Sequence, residues 1–176
     1  MVNASGLTLY LDNWEFENCN PSSGSCVSFR INPADLLTVG PGEVALLCFD
    51  RSFMDGVLGS GSCDYSYGIA PGVSSTYKAS SFRLRNSGLN VFTVSVDGEE
   101  VDTVNVSLAG FPSTTDSANE GQSLMLNGSL VGASDLDILN DLASSWELND
   151  NTAFTYETVG GDDNIGTPGE ANPAVP

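Results

Sequence analysis

Few side chains in this chain could do chemistry. Histidine is absent, which removes the usual general base, the usual zinc ligand and every Ser-His or Cys-His pair. Asp162 and Asp163 form an adjacent carboxylate pair near the end of the chain. Glycosidase carboxylates face each other from different elements, whereas neighbours on a strand point apart, so this pair reads as a solvated turn. Asp135 and Asp137 fit the first and third places of a calcium loop. Leu139 and Asn140 then stand where an oxygen ligand and a glycine are required, and Glu147 falls one place late, so an EF-hand is rejected. A calcium site shared between Asp- and Asn-rich loops is the one weak metal expectation; no cofactor is expected. Ser60 and Ser62 in "LGSGSCD" have no base to activate them. Neither a nucleophile elbow nor a phosphate-binding glycine loop is present. The residues predict a protein that is not an enzyme.

Cysteine chemistry points elsewhere. Cys19, Cys26, Cys48 and Cys63 contain no Cys-x-x-Cys pair, and their even number and hairpin-like spacing favour disulfides and an oxidising compartment. The expected pairs are Cys19–Cys26, around "NPSSGS", and Cys48–Cys63. An extracellular or cell-surface location follows as an expectation. Three N-x-S/T triplets, at Asn3, Asn105 and Asn127, become relevant if the source glycosylates its exported proteins. Tyr65, Tyr67 and Tyr77 cluster around a Gly/Ser loop and are the candidate ligand surface; the competing reading is rim packing of the fold.

The chain has 176 residues, 23 acidic against 5 basic, a net charge of -18 and a pI of about 4.1. Nucleic acid and anionic lipid would be repelled, and such a surface resists aggregation. No stretch of 18 apolar residues exists, so membrane insertion is not expected. No signal peptide is recognisable; export would require a leader removed beforehand.

The elements that must carry these residues read as strands. In "LTLYLDNWEF" Leu7, Leu9 and Leu11 share one face, and the phase flips at Asp12-Asn13 to Trp14 and Phe16. "CVSFRI" turns Val27, Phe29 and Ile31 inward. "EVALLCF", after Pro41-Gly42, reads as a central strand. "SFRLRN" alternates Phe82 and Leu84 with arginines. "VFTVSVDG" alternates Phe92, Val94 and Val96 with polar residues, and Asp97-Gly98 makes a hairpin turn into "EEVDTVNV". "QSLMLNG" and "SSWEL" are the last strands. "SDLDILNDLASS" is balanced between loop and a short helix capped by Ser134. Residues 55–63 and 160–164 read as loops. The expected core includes Trp14, Phe29, Leu47, Leu84, Val94 and Val104. Short strands between Gly/Pro turns predict an all-β, immunoglobulin-like antiparallel sandwich with long loops, a single domain over residues 1–176.

Read in order, these strands resemble lamin tail domains. "LTLYLDNWEF" is similar to that family's opening Leu-x-x-Trp strand, and "VGPGEVALLCF" to its Pro-Gly turn and apolar strand. "FRLRNSGLNVFTVSVDGEEVDTVNV" resembles its Leu-x-Asn-x-Gly hairpin, and "NEGQSLML" its Gly-x-Ser-Leu strand. "SSWEL" with "NIGTPGEAN" resembles the close of bacterial members. The resemblance covers most of residues 3–173. It implies an immunoglobulin-like sandwich in an exported, non-catalytic accessory or surface module, and it makes the tail around Thr167-Pro168-Gly169 part of the fold. One departure matters: family members carry one or two strands before the position of "MVNASG", so the expectation is a sheet without its first strands. The expectation is a structural or assembly module that pairs through an exposed sheet edge, either with itself or with another extracellular protein. The donor strand would be the stretch around "MVNASG" or the C-terminal "EANPAVP". The alternative is an accessory module binding carbohydrate or a calcium-bridged surface.

Overall fold

The computed structural model describes residues 1, 3–68, 77–78, 82, 90–112, 124–130, 133–148, 155–157 and 163–165. Leu84, Asp162, Thr167-Pro168-Gly169 and "EANPAVP" lie outside the described residues. The fold is all-β, and among the described residues every strand pair but one is antiparallel.

The largest sheet has the order β3-β2-β7-β8, from β2 (Trp14–Cys19), β3 (Cys26–Arg30), β7 (Val91–Val96) and β8 (Glu99–Asn105). Alternation sorts its two faces. Phe29, Phe16, Val94 and Asp102 lie in one row across the four strands, and Val27, Asn18, Phe92 and Val104 in the next. The opposite face carries Glu15, Glu17, Ser28 and Arg30. There the Arg30 guanidinium meets the Glu15 carboxylate at 2.8 Å, and the Ser28 hydroxyl donates to Glu15 at 2.7 Å. Asp97-Gly98 closes the β7–β8 hairpin with φ of 51° and 84°, the left-handed pair that matches strand twist.

Two smaller pairings cover the apolar face. β1 (Leu9–Tyr10) pairs with β4 (Thr38–Val39). β5 (Leu47–Cys48) pairs in parallel with β6 (Tyr65–Ser66). Leu11, Phe16, Phe29, Ile31, Val39, Ala45, Tyr65 and Phe82 form the buried core, with Trp14, Leu47 and Val94 half-buried against it. Phe29 is its hub, stacked on Phe16 at 5.1 Å and on Tyr67 at 4.4 Å, with the Phe82 edge at 4.8 Å. Val104 is buried as expected. Farther along, β9 (Leu124–Leu126) pairs with β10 (Trp146–Leu148), and β11 (Thr155–Glu157) with β12 (Asp163–Ile165). Asp163 therefore belongs to a strand rather than to a loop.

Four local expectations are corrected. Leu7 is 75% exposed while Leu11 is fully buried; the strand starts only at Leu9, so alternation does not reach back to Leu7. "EVALLCF" contributes two residues of strand, because Asp50 stops it by capping α1 (Arg51–Leu58): its carboxylate accepts the Phe53 N–H at 3.2 Å. That helix occupies part of the Gly-rich stretch read as a loop. In "SDLDILNDLASS" the helix is α2 (Leu136–Leu139), four residues long, and Asp135 rather than Ser134 holds the cap position. The phase flip expected at Asp12-Asn13, by contrast, is borne out: it is a turn with Asn13 at φ 62°, and the Trp14 N–H donates back to the Leu11 carbonyl.

Candidate functional site

The disulfides are Cys19–Cys26 and Cys48–Cys63, as their spacing predicted. Cys19 and Cys26 are cross-strand partners at the end of β2–β3. Cys48–Cys63 ties β5 to the residues just before β6 and spans α1. Among the described residues, the group of potential metal ligands closest together is Glu17, Cys19 and Cys26. Both sulfurs there are consumed by the disulfide, which leaves one carboxylate and no cation cage.

The tyrosine surface is corrected by burial. Tyr65 is 2% exposed. Its hydroxyl donates to the Arg30 carbonyl at 2.9 Å, lies 3.1 Å from the Tyr77 carbonyl, and accepts the Asn32 N–H at 3.3 Å. Removal from water pushes its phenol up to about 12, and Asp35 and Tyr77 add to the rise. The Lys78 ammonium lies 4.1 Å from the centre of its ring and donates to the Ser66 carbonyl. Burial lowers the pKa of that ammonium, against the pull of Asp35. Tyr67 packs on Phe29, Phe82 and Phe49, and burial raises its pKa. Tyr77 is half-buried. Two of the three rings serve the core, because β6 carries Tyr65 inward at its start and Tyr67 follows two residues later on the same side. They do not form an exposed row on which a sugar would stack.

The N-terminal stretch is also corrected. The described residues of "MVNASG" are not a loose arm. Met1 and Ala45 exchange hydrogen bonds, the amine donating to the Ala45 carbonyl at 2.8 Å and the Ala45 N–H to the Met1 carbonyl at 2.7 Å. The Asn3 N–H donates to the Glu43 carbonyl at 2.9 Å. Asn3 is fully buried. Its side-chain N–H groups donate to the Leu7 and Val39 carbonyls, both at 2.8 Å, and its oxygen accepts from the Ser5 N–H and hydroxyl. A glycan on Asn3 is incompatible with this packing. Desolvation lowers the pKa of the Met1 amine, although Asp64 opposes the shift.

The feature that remains is an apolar cleft of about 530 Å³. Trp14, Phe16, Phe29, Phe92 and Val94 line it from the main sheet, and Leu47 from β5. Met1 stands at it as well. Asp102 enters from β8 and accepts the Asn140 side-chain N–H at 2.6 Å. It sits beside a bulge: Val94 faces Asp102 while Ser95 faces Glu100, leaving Val101 extra. A bulge, an inward-turned carboxylate and the neighbouring Glu99 and Glu100 are devices that discourage strand addition at an edge. Edge pairing through β8 is therefore disfavoured.

The backbone of β5 is different. Its ladder with β6 uses the Leu46 and Cys48 carbonyls, which accept from the Tyr65 and Tyr67 N–H groups at 3.3 and 2.9 Å. Backbone groups alternate sides along a strand, so the N–H and C=O of Leu47 face the other way, toward the line of Met1 and Asn3. Among the described residues nothing bonds them. On the other flank the edge is tightly closed. The Gly68 N–H donates to the Phe49 carbonyl at 2.9 Å, and a Cβ on Gly68 would come within 2.2 Å of that oxygen.

The resemblance implied an exposed, unpaired sheet edge, but no residue pattern located this cleft. It depends on which way two backbone groups of a two-residue strand point, and residue types do not encode that. Comparison with protein-family models, curated proteins and solved structures finds no match.

Proposed function

We propose that this chain is a non-catalytic extracellular structural module, an immunoglobulin-like sandwich of the lamin-tail kind, that joins its assembly by accepting a β-strand. The observation that carries the reading is the coincidence of the apolar cleft with the outward-turned backbone of Leu47. Bare apolar surface and unsatisfied backbone groups are each costly, and one added strand relieves both. Both cysteine pairs are oxidised, as is typical of proteins outside the reducing cytosol. The acidic surface keeps finished assemblies apart. Light scattering on native material tests the reading: particles larger than one chain are expected, and a stable monomer with no strand supplied from outside would sink it.

A further inference from the structure

Resting on the extracellular location proposed above, we infer that Asn105 is an N-glycosylation site. The first sugar of its glycan, a neutral hexose or N-acetylhexosamine, lies in a polar depression along the edge of β8.

Three asparagines carry the N-x-S/T triplet, and the fold treats each differently. Asn3 is fully buried, with its side-chain N–H groups committed to two carbonyls. Asn127 holds the Ser129 N–H and hydroxyl on its oxygen, and the residue has a further interaction besides. Asn105 is half-buried at the end of β8, the outer strand of the main sheet. Its side chain accepts the Ser107 N–H at 3.0 Å, which closes a tight turn. A backbone N–H only donates, so the atom it meets is the amide oxygen. The amide nitrogen is the atom left over, and it bonds nothing among the described residues. A substituent on that nitrogen therefore costs no hydrogen bond, and the turn survives the modification. The Ser107 hydroxyl completes the triplet and donates to the Asn90 carbonyl at 3.2 Å.

The surroundings suit a sugar. A depression of about 450 Å³ includes Asn105 itself, a size that holds a small ligand. Val101 and Leu108 stand on it, 48% and 57% exposed. Val101 is the extra residue of the bulge. The Leu108 N–H donates to the Asn105 carbonyl at 3.3 Å, which keeps Leu108 beside the acceptor. The C–H face of a sugar ring laid on these two side chains removes apolar area from water. Glu100, Asp141 and Thr103 supply oxygens around them. The Thr103 hydroxyl donates to that of Thr93 at 3.0 Å, so toward a ligand it accepts. A bed of acceptors matches the hydroxyls of a neutral sugar and repels a carboxylated one. Among the described residues, Glu100, Asp102 and Asp141 do not converge as a cation cage.

The bond forms between Nδ2 of Asn105 and C1 of a sugar carried on a lipid phosphate. The C1–O bond to the phosphate breaks, the lipid phosphate leaves with the electron pair, and the amide gives up one proton. The product adds bulk to an edge that the bulge and its acidic neighbours already protect from strand addition.

The test is a peptide map of protein isolated from its source, digested without reduction and fragmented so that side-chain attachments are kept. The Asn105 peptide should exceed its sequence mass by at least one hexose, and the Asn3 peptide should carry no addition. Ser107→Ala made in the same source should lose the addition, and Ser107→Thr should keep it. Asn105→Gln leaves the Ser107 hydroxyl in place and gives an independent loss where Ser107→Ala does not fold. Nuclear Overhauser contacts should join the Leu108 methyls to the first ring after the outer sugars are trimmed. An Asn105 peptide at its sequence mass overturns the inference, as does an addition there that survives Ser107→Ala. A first ring with no contact to Leu108 or Val101 overturns its seat in the depression. The same map separates the two levels. Oxidised cysteine pairs with an unmodified Asn105 refute the glycan and leave the extracellular reading intact, whereas free thiols with an unmodified Asn105 refute both.

Discussion

Replacing Tyr65 with phenylalanine removes one oxygen and leaves the ring in place. The hydroxyl it removes holds three segments together: it bonds the Arg30 carbonyl at the end of β3, the Asn32 N–H in the turn that follows, and approaches the Tyr77 carbonyl. At 2% exposure, water cannot readily replace it. Leaving a buried N–H without its acceptor and a carbonyl without its donor costs about 1–3 kcal/mol. The same site makes a second statement through pH. The folded protein holds this phenol at about 12, against 10.0 for a free one. The folded state thus favours the protonated form, and its stabilising contribution is complete below pH 10.0 and is lost as pH rises toward about 12. Integrated, that loss is roughly 2–3 kcal/mol. Urea unfolding of the wild type and Tyr65→Phe at neutral pH and along an alkaline series measures both quantities, and phenolate absorbance reports the titration. The variant should start lower and decline less steeply, retaining the smaller dependence due to Tyr67. Equal stability at neutral pH, or ionisation of all five tyrosines together near pH 10, would show that the hydroxyl is not held as described.

Three further outcomes are expected. Asn3→Ala removes donors to the Leu7 and Val39 carbonyls and the acceptor for Ser5, and should cost about 2–4 kcal/mol in chemical denaturation; intact-mass analysis of folded material should find Asn3 unmodified. Replacing Cys48 and Cys63 together by serine, which opens a loop of sequence separation 15, should cost about 3 kcal/mol, against about 2 kcal/mol for the Cys19–Cys26 pair with separation 7. The Met1 amine has a folded pKa below 8.0, so the unfolded chain binds the extra proton and stability should rise with pH across that interval. Chemical acetylation of the amine should flatten the rise in a thermal melt series.

The sequence alone determined the parts of this molecule that depend on local chemistry. Period-two alternation placed β2, β3, β7 and β8, because an inward residue at every second position is a requirement of the pleat itself. Asp97-Gly98 specified its hairpin because both residues tolerate the left-handed backbone. The cysteine pairs were legible because short separations leave few partners, and the missing histidine removed whole classes of catalysis. Tertiary structure decided the rest. Tyr65 and Tyr67 look like a binding row in one dimension, and only the packing of β6 onto Phe29 turns them inward. Leu7 belongs by pattern with Leu9 and Leu11, yet the strand begins after it and leaves it in solvent. Asn3 carries a modification triplet, but its amide closes the gap between Leu7 and Val39, partners 4 and 36 residues away. The slot beside Leu47 lies furthest from the sequence. It arises because β6 takes one side of a two-residue strand and leaves the backbone groups of Leu47 facing the other, and that is a property of how backbone groups alternate in space, to which every residue type contributes the same N–H and C=O.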